Sequence, residues 1–222
     1  MAFGPRMQLD VGELKIELAP LSKEVLGEFV SPGLQQASIT KYLSSTTAPV
    51  LEDEHEWFEK MRLAENAITW GIYVRNGEQR VLIGNTSLTD ITKGHTIQAV
   101  SGSMLFRKEY WGKGIASSIH KARTWYAFDQ LGFTRVKSAV IHGNVASRKA
   151  LEKSGYRLVY VERNTVFVDG QLRHQDNLEC VNPGEVAWNL WWGGDVPAKD
   201  AVDARERTLD ALKWVKENVT LL

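Results

Sequence analysis

The sequence predicts an α/β protein of the α+β kind: a central mixed, mostly antiparallel sheet of about seven strands, flanked by helices. Three observations predict it. The apolar period is helical up to about residue 64, then changes to two between about residues 68 and 106. Asn76-Gly77 and Asp169-Gly170 each stand between two strand-like runs, where a hairpin needs residues that tolerate positive φ. A long helical stripe from Trp111 to Leu131 is then bracketed by strand-like segments on both sides.

Taken in order, Leu14 to Leu18 alternates apolar and polar and reads as a short strand. Leu21 to Val30 reads as a helix closed by Ser31-Pro32-Gly33, and Gln35 to Leu43 as a second helix. Leu51 to Ala64 carries Trp57, Phe58 and Met61 on one stripe, which assigns those aromatics to the core. Its first turns hold Glu52, Asp53, Glu54 and Glu56, suited to the positive end of a helix dipole. That acidic start reads first as a solvated face and second as a wall facing a cation. Ile68–Val74, Val81–Leu88 and Thr96–Phe106 form an antiparallel meander. After the long helix, ended by Gly132, come a strand at Val136–Ile141 and a short helix at Ala146–Lys153. Two extended runs then meet at Asp169-Gly170, and Leu172–Cys180 returns. Residues 1–180 form the main domain. Residues 181–222 add a Trp-rich segment and an amphipathic helix from about Ala198 to Asn218, with Val202, Leu209, Leu212 and Val215 or Trp214 as its apolar face. That tail packs on the core or on a partner subunit, as in a homodimer.

Composition narrows the class. The 222 residues carry 27 Lys+Arg and 27 Asp+Glu, so the balanced charge gives no reason to expect nucleic acid or an anionic membrane as partner. The single cysteine, Cys180, excludes an internal disulfide and any multi-thiolate metal site, and suits a reducing, cytoplasmic setting; it reads as a buried strand residue. Met1 to Asp10 has no apolar signal core, and no stretch approaches about 18 uninterrupted apolar residues.

The chemistry concentrates at Met104 to Ser117, where a strand passes through Trp111-Gly112-Lys113-Gly114-Ile115-Ala116 into the long helix. Two glycines permit positive φ and close approach of a ligand to the backbone. The first amides of a helix have no intrahelical partner and lie at the positive end of its dipole, which makes a phosphate or pyrophosphate site. Ser117 stands where a dinucleotide fingerprint needs its third glycine, and no Gly-Lys-Ser/Thr closes a P-loop.

On these residues the sequence resembles the GNAT superfamily of N-acetyltransferases, whose pyrophosphate loop reads Arg/Gln-x-x-Gly-x-Gly/Ala. Here it is Trp111-x-x-Gly114-x-Ala116. Two further stretches, Asn144-x-x-Ser147 followed by Leu151-Glu152-Lys153-Ser154-Gly155-Tyr156, and Arg163 with Asp169-Gly170 and His174-x-Asp176, resemble the branch that modifies ribosomal-protein N-termini (RimJ/RimL-like). The likeness covers roughly residues 14 to 180. It implies a sheet splayed between the fourth and fifth strands, counted from Leu14, with acetyl-CoA as cosubstrate in the gap and no metal. Backbone groups near Met104 and Phe106 would pair with the pantetheine arm. Amides of Gly112, Lys113, Gly114, Ala116 and Ser117 would hold the pyrophosphate, Asn144 the pantetheine and Lys149 the nucleotide phosphates. Asn144 equally suits a helix cap, and Lys149 a solvated face.

By the same resemblance, Ser147 would donate to the departing thiolate, with Tyr156 the alternative. The carboxylate that some ribosomal-protein acetyltransferases place before the Asp-Gly turn falls at Val166, so Glu162, His142 or a water chain is left as base. The acceptor implied is an amine: a protein N-terminus, an aminoglycoside-like antibiotic, an amino acid or a polyamine. A catalytically silent acyl-CoA sensor with the same fold is the competing reading.

Overall fold

The computed structural model describes residues 3–43 and 47–222. Nine strands form one sheet: β1 (Met7–Val11), β2 (Leu14–Ala19), β3 (Ile68–Asn76), β4 (Gln79–Lys93), β5 (Ile97–Leu105), β6 (Arg135–Ile141), β7 (Arg157–Val168), β8 (Gln171–Val181) and β9 (Val219–Leu221). Their spatial order is β7-β8-β6-β5-β4-β3-β2-β1-β9. Every pairing is antiparallel except β5 with β6. The helices are α1 (Ala37–Thr40), α2 (Leu51–Leu63), α3 (Ile115–Trp125), α4 (Val145–Glu152), α5 (Glu185–Trp192) and α6 (Lys199–Asn218). No described helix is long and apolar enough to cross a membrane.

Alternation along the strands sends neighbouring side chains into cores on opposite faces. Leu18 and Ile83 join the larger core, with Trp70, Ile119 and Ala122. Ala19 and Leu82 join the smaller one, with Phe29, Phe58 and Phe106. Trp57 packs against this second core.

Four expectations change. The segment Leu21 to Val30 is no continuous helix. It has a 3₁₀ turn at Lys23–Val25 and a further helical turn up to Val30, and Ser31, Pro32 and Gly33 then leave helical φ/ψ, closing the segment where the sequence places the breaker. Pro32 drives this, because a residue before proline is pushed to extended backbone, and Ser31 sits at φ −137°, ψ 119°. The second helix shrinks to the four residues of α1. The long helix begins at Ile115 rather than Trp111, because Gly112 and Gly114 take φ of 74° and 84° and cannot continue a right-handed helix. The sheet has nine strands rather than about seven, since β1 and β9 pair with each other at one edge.

The C-terminal segment therefore contributes both a strand and a cover. Helix α6 buries Ala201, Ala204, Thr208, Ala211, Leu212 and Val215. Val202 and Leu209, expected on the apolar face, are 40% and 48% exposed. A stripe of small residues lets the helix come close to the backbone at Gly155. There a Cβ would lie 2.0 Å from Thr208 Oγ1, on a residue held at φ 93°. Trp188 of α5 packs with Val181 and Ala201 in a third, small core.

Gly155→Ala should lower unfolding free energy by about 2–5 kcal/mol, the sum of about 1–2 kcal/mol for left-handed backbone and about 1–3 kcal/mol for overpacking. Denaturant titration measures it, and a loss below about 1 kcal/mol would mean that α6 is not seated on Gly155.

Candidate active site

The site begins with a break in the sheet. Strand β6 pairs with β5 at only three positions, Gln98↔Arg135, Ala99↔Val136 and Val100↔Lys137. Beyond Val100 the two strands part, while β4 and β8 hold their outer edges in register. The gap opens into a cleft of about 570 Å³. Its walls are the second half of β5, the start of α3, α1 and the start of α4.

At the mouth, Gly114 caps α3 and its carbonyl accepts the first intrahelical bond, from Ser118 N–H (3.2 Å). Among the described residues, the amides of Gly112 through Ser117 make no backbone hydrogen bond. They form a row of free donors at a helix N-terminus, which fits a pyrophosphate. Trp111 folds back so that its Nε1–H donates to Leu105 O (2.9 Å), pinning the loop to the end of β5. Gly112, Gly114, Ala116 and Ser117 line the cleft, as do Trp111 and Met104. Lys113 does not; its ammonium stands 5.5 Å from the Tyr110 ring centroid.

Helix α4 supplies the opposite wall. Asn144 caps it, its Oδ1 accepting from Ser147 N–H (3.3 Å), and both residues line the cleft. The cap and the ligand-facing position are thus the same residue. The Ser147 hydroxyl has no protein partner among the described residues, so it is free for a ligand atom. Lys149 and, one turn on, Lys153 also line the cleft.

The family described as acetyltransferase (GNAT) domain matches residues 15–157. The chain belongs to the GNAT acetyltransferase family. It is 30% identical over 116 residues, 52% of its length, to the probable N-acetyltransferase YjcK of Bacillus subtilis, and this match spans 62% of YjcK, less than two thirds. Solved structures share the fold. Spermidine N-acetyltransferase from Vibrio cholerae, in complex with CoA and spermine, superposes with a TM-score of 0.67 at 18% identity, covering 75% of this chain and 95% of that one. RimJ of Mycobacterium smegmatis, in complex with CoA-disulfide, gives 0.68 at 16% identity, covering 93% and 92%.

Within this GNAT frame, four predicted residues besides Lys113 do not line the cleft. Phe106 is buried in the smaller core, its ring against Phe29 at 5.4 Å, and its N–H donates to Ile83 O (3.0 Å). Tyr156 is fully buried, its hydroxyl 3.1 Å from Thr124 Oγ1; it lies where the chain crosses beneath α6, so it is not presented to a thiolate in the cleft. Glu162 lies exposed on β7, and β8 and β6 stand between it and β5. His142 sits at the rim, next to Gly143, which lines the cleft. Its Nε2 meets Asp176 Oδ1, and Asp176 also accepts from Arg148. In the neutral ring, a carboxylate on Nε2 places the proton on that nitrogen and makes Nδ1 the acceptor. The acidic first turn of α2 does not reach the cleft. Cys180 is buried, and burial pushes its thiol up to about 12, which leaves it inert.

Sequence reasoning missed Ser38, Lys41 and Tyr42 on or beside α1, Ser103 on β5, Lys153 at the C-terminal end of α4, and His120. The signal for His120 was present: it interrupts the apolar stripe of Ile115, Ile119 and Ala122. The imidazole is enclosed, 4% exposed, and its Nδ1 lies 2.9 Å from Arg123 Nη2. Burial first, and then the Arg123 charge, hold its pKa well below the usual 6.5. The ionisable groups of this cluster are Arg123 and the Tyr156 hydroxyl, with no carboxylate in its hydrogen bonds.

Because the folded imidazole resists protonation, the unfolded chain binds the proton first as pH falls. The contribution of His120 to stability is complete above about pH 6.5 and erodes below it by up to about 1.4 kcal/mol per pH unit. Denaturant titrations between pH 7.5 and 5.5 should show a shallower decline for His120→Gln than for the unchanged protein. Equal slopes would mean that the imidazole takes its proton inside the fold.

Proposed function

We propose that the protein is an acetyl-CoA-dependent N-acetyltransferase that moves an acetyl group directly onto a primary amine. The carrying observation is the row of unpartnered amides from Gly112 to Ser117, opening onto a cleft that reaches into the split between β5 and β6. Donors without acceptors suit the pyrophosphate. The end of β5 that lines the cleft, Ser103 to Leu105, lies beyond its pairing with β6 and suits the amide-bearing arm of CoA, and Lys149 and Lys153 suit its remaining phosphate.

In this reading Ser147 donates to the sulfur as the carbon–sulfur bond breaks. His142, with Nε2–H held by Asp176, receives the proton of the amine on Nδ1, directly or through water. Among the described residues, the cleft lining contains Lys41, Lys149 and Lys153 and no carboxylate. A polycationic acceptor would find no counter-charge there, so the lining favours an amine without further positive charge, such as a protein N-terminus, over a polyamine. The motifs shared with the RimJ/RimL-like branch point to the same kind of acceptor, although Val166 stands where some members of that branch place a carboxylate.

Thiol release from acetyl-CoA with a panel of amines tests the activity, and calorimetry with CoA tests the site. Release should be seen with N-terminal peptides and should be weak with spermidine. CoA binding without release for any amine would make the chain an acyl-CoA sensor instead. Gly114→Glu should abolish CoA binding by placing negative charge on the phosphate loop; unchanged affinity would remove the assignment of this loop. Ser147→Ala should lower kcat about 10²-fold, the lower range for a lost proton donor, with CoA affinity nearly unchanged.

A further inference from the structure

The larger core contains a guanidinium without a counter-ion. Arg123 on α3 is 0% exposed. Its Nη1 donates to Thr86 Oγ1 (2.6 Å), Gly102 O (2.8 Å) and Ser103 Oγ (2.9 Å). Its Nη2 donates to His120 Nδ1 (2.9 Å) and reaches Tyr156 Oη at 3.5 Å. Its Nε has no partner. No carboxylate pairs with it among the described residues. A buried cation left unpaired costs several kcal/mol relative to a well-packed apolar side chain, so this arrangement calls for a negative charge nearby.

The geometry also fixes a proton. Arginine has no acceptor, so the nitrogen of His120 facing it must be the bare one, and the proton of the neutral ring sits on Nε2. His120 lines the cleft, and Nε2 has no partner among the described residues. Ser103, a second partner of Arg123, lines the cleft from β5. The inner end of the cleft thus holds a donor whose direction is set by a permanent charge behind it.

We propose that His120 is a catalytic hydrogen-bond donor to the thioester oxygen, and that Arg123 is the positioning residue that holds it in the Nε2–H form. This rests on the acetyl-transfer reading. In that reaction the amine nitrogen bonds to the acyl carbon while the π pair of the carbonyl moves onto oxygen. The pair returns as the carbon–sulfur bond breaks, the sulfur leaves with its bonding electrons, and the amine proton goes to the base. Oxygen carries negative charge only between those two events, so a donor aimed there acts on the rate. Ser147, on the opposite wall, is left for the sulfur.

Three measurements decide it. His120→Leu should lower kcat about 10²-fold, the scale of one lost oxyanion donor, while calorimetric CoA affinity stays within about twofold. His120→Gln, which restores an N–H near the Nε2 position, should recover most of the loss. Nitrogen-15 spectra of the imidazole, assigned by the peaks lost in His120→Gln, should show a bare Nδ1 and a protonated Nε2 between pH 6 and 8. Arg123→Met should abolish that single form and lower kcat in step; should this variant not fold, the His120 pair and the spectra decide alone. A protonated Nδ1, or kcat of His120→Leu within about threefold of the unchanged protein, or kcat and CoA affinity falling together, would each overturn the assignment. If the unchanged protein neither binds CoA nor releases thiol, the acetyl-transfer reading itself falls and takes this one with it.

Discussion

The structure depends on one parallel strand pair that comes apart. In an ordinary sheet interior every backbone N–H and C=O is matched, and an orphan in a dry core costs free energy. Here β5 and β6 share three residue pairs and then diverge, leaving backbone groups of β5 facing an open cleft. The divergence is tolerable because each strand keeps a full partner on its other side, β5 on β4 and β6 on β8. The phosphate loop follows from the same event, since β5 must leave the sheet, turn through Gly112 and Gly114, and start α3 over the gap. The cleft, the free strand edge and the free helix N-terminus thus have a common cause.

The C-terminal segment braces this arrangement from outside the split. Helix α6 lies across the face that α3 covers and seats Thr208 against Gly155, at the point where the chain leaves α4 for β7. Strand β9 closes on β1 at one edge of the sheet. The cover also shapes the interior: Tyr156, next to that crossing, is driven inward and its hydroxyl joins the polar cluster of Ser101, Thr124 and Arg123.

Much of this was legible in the sequence wherever a residue acts through local geometry. Gly112, Gly114 and Asn144 announce a turn, a helix entry and a cap, and the structure has all three there, with the helix starting just after Gly114 rather than at Trp111. The hairpins at Asn76-Gly77 and Asp169-Gly170 were equally plain. Residues whose role depends on tertiary placement were not. Phe106 and Tyr156 sit one and three residues from the cleft-lining Leu105 and Lys153, yet strand alternation and a helix crossing turn both into cores. Tyr42 and Lys41 arrive from α1, which is distant in sequence and too short to announce a face. The small-residue stripe of α6 was misread because period alone favours large apolar residues, whereas close packing at Gly155 selects small ones. His120 was visible only as a polar interruption of an apolar stripe, and its meaning depends on Arg123, whose environment no spacing reveals.

The donors around the cleft follow one electrostatic logic. Amides at the mouth, a hydroxyl on α4, the His120 imidazole and three lysines present hydrogen or positive charge, and among the described residues no carboxylate lines the space. Such a site favours negative charge wherever it appears, whether permanently on phosphates or transiently on the acyl oxygen and sulfur. It equally disfavours an amine that is still protonated. A base among these donors would be drawn into hydrogen bonds with them and lose its affinity for the proton. That makes it physically reasonable for the His142–Asp176 pair to stand at the rim, beyond Gly143, where solvent can receive the proton, while the interior stays free of carboxylates.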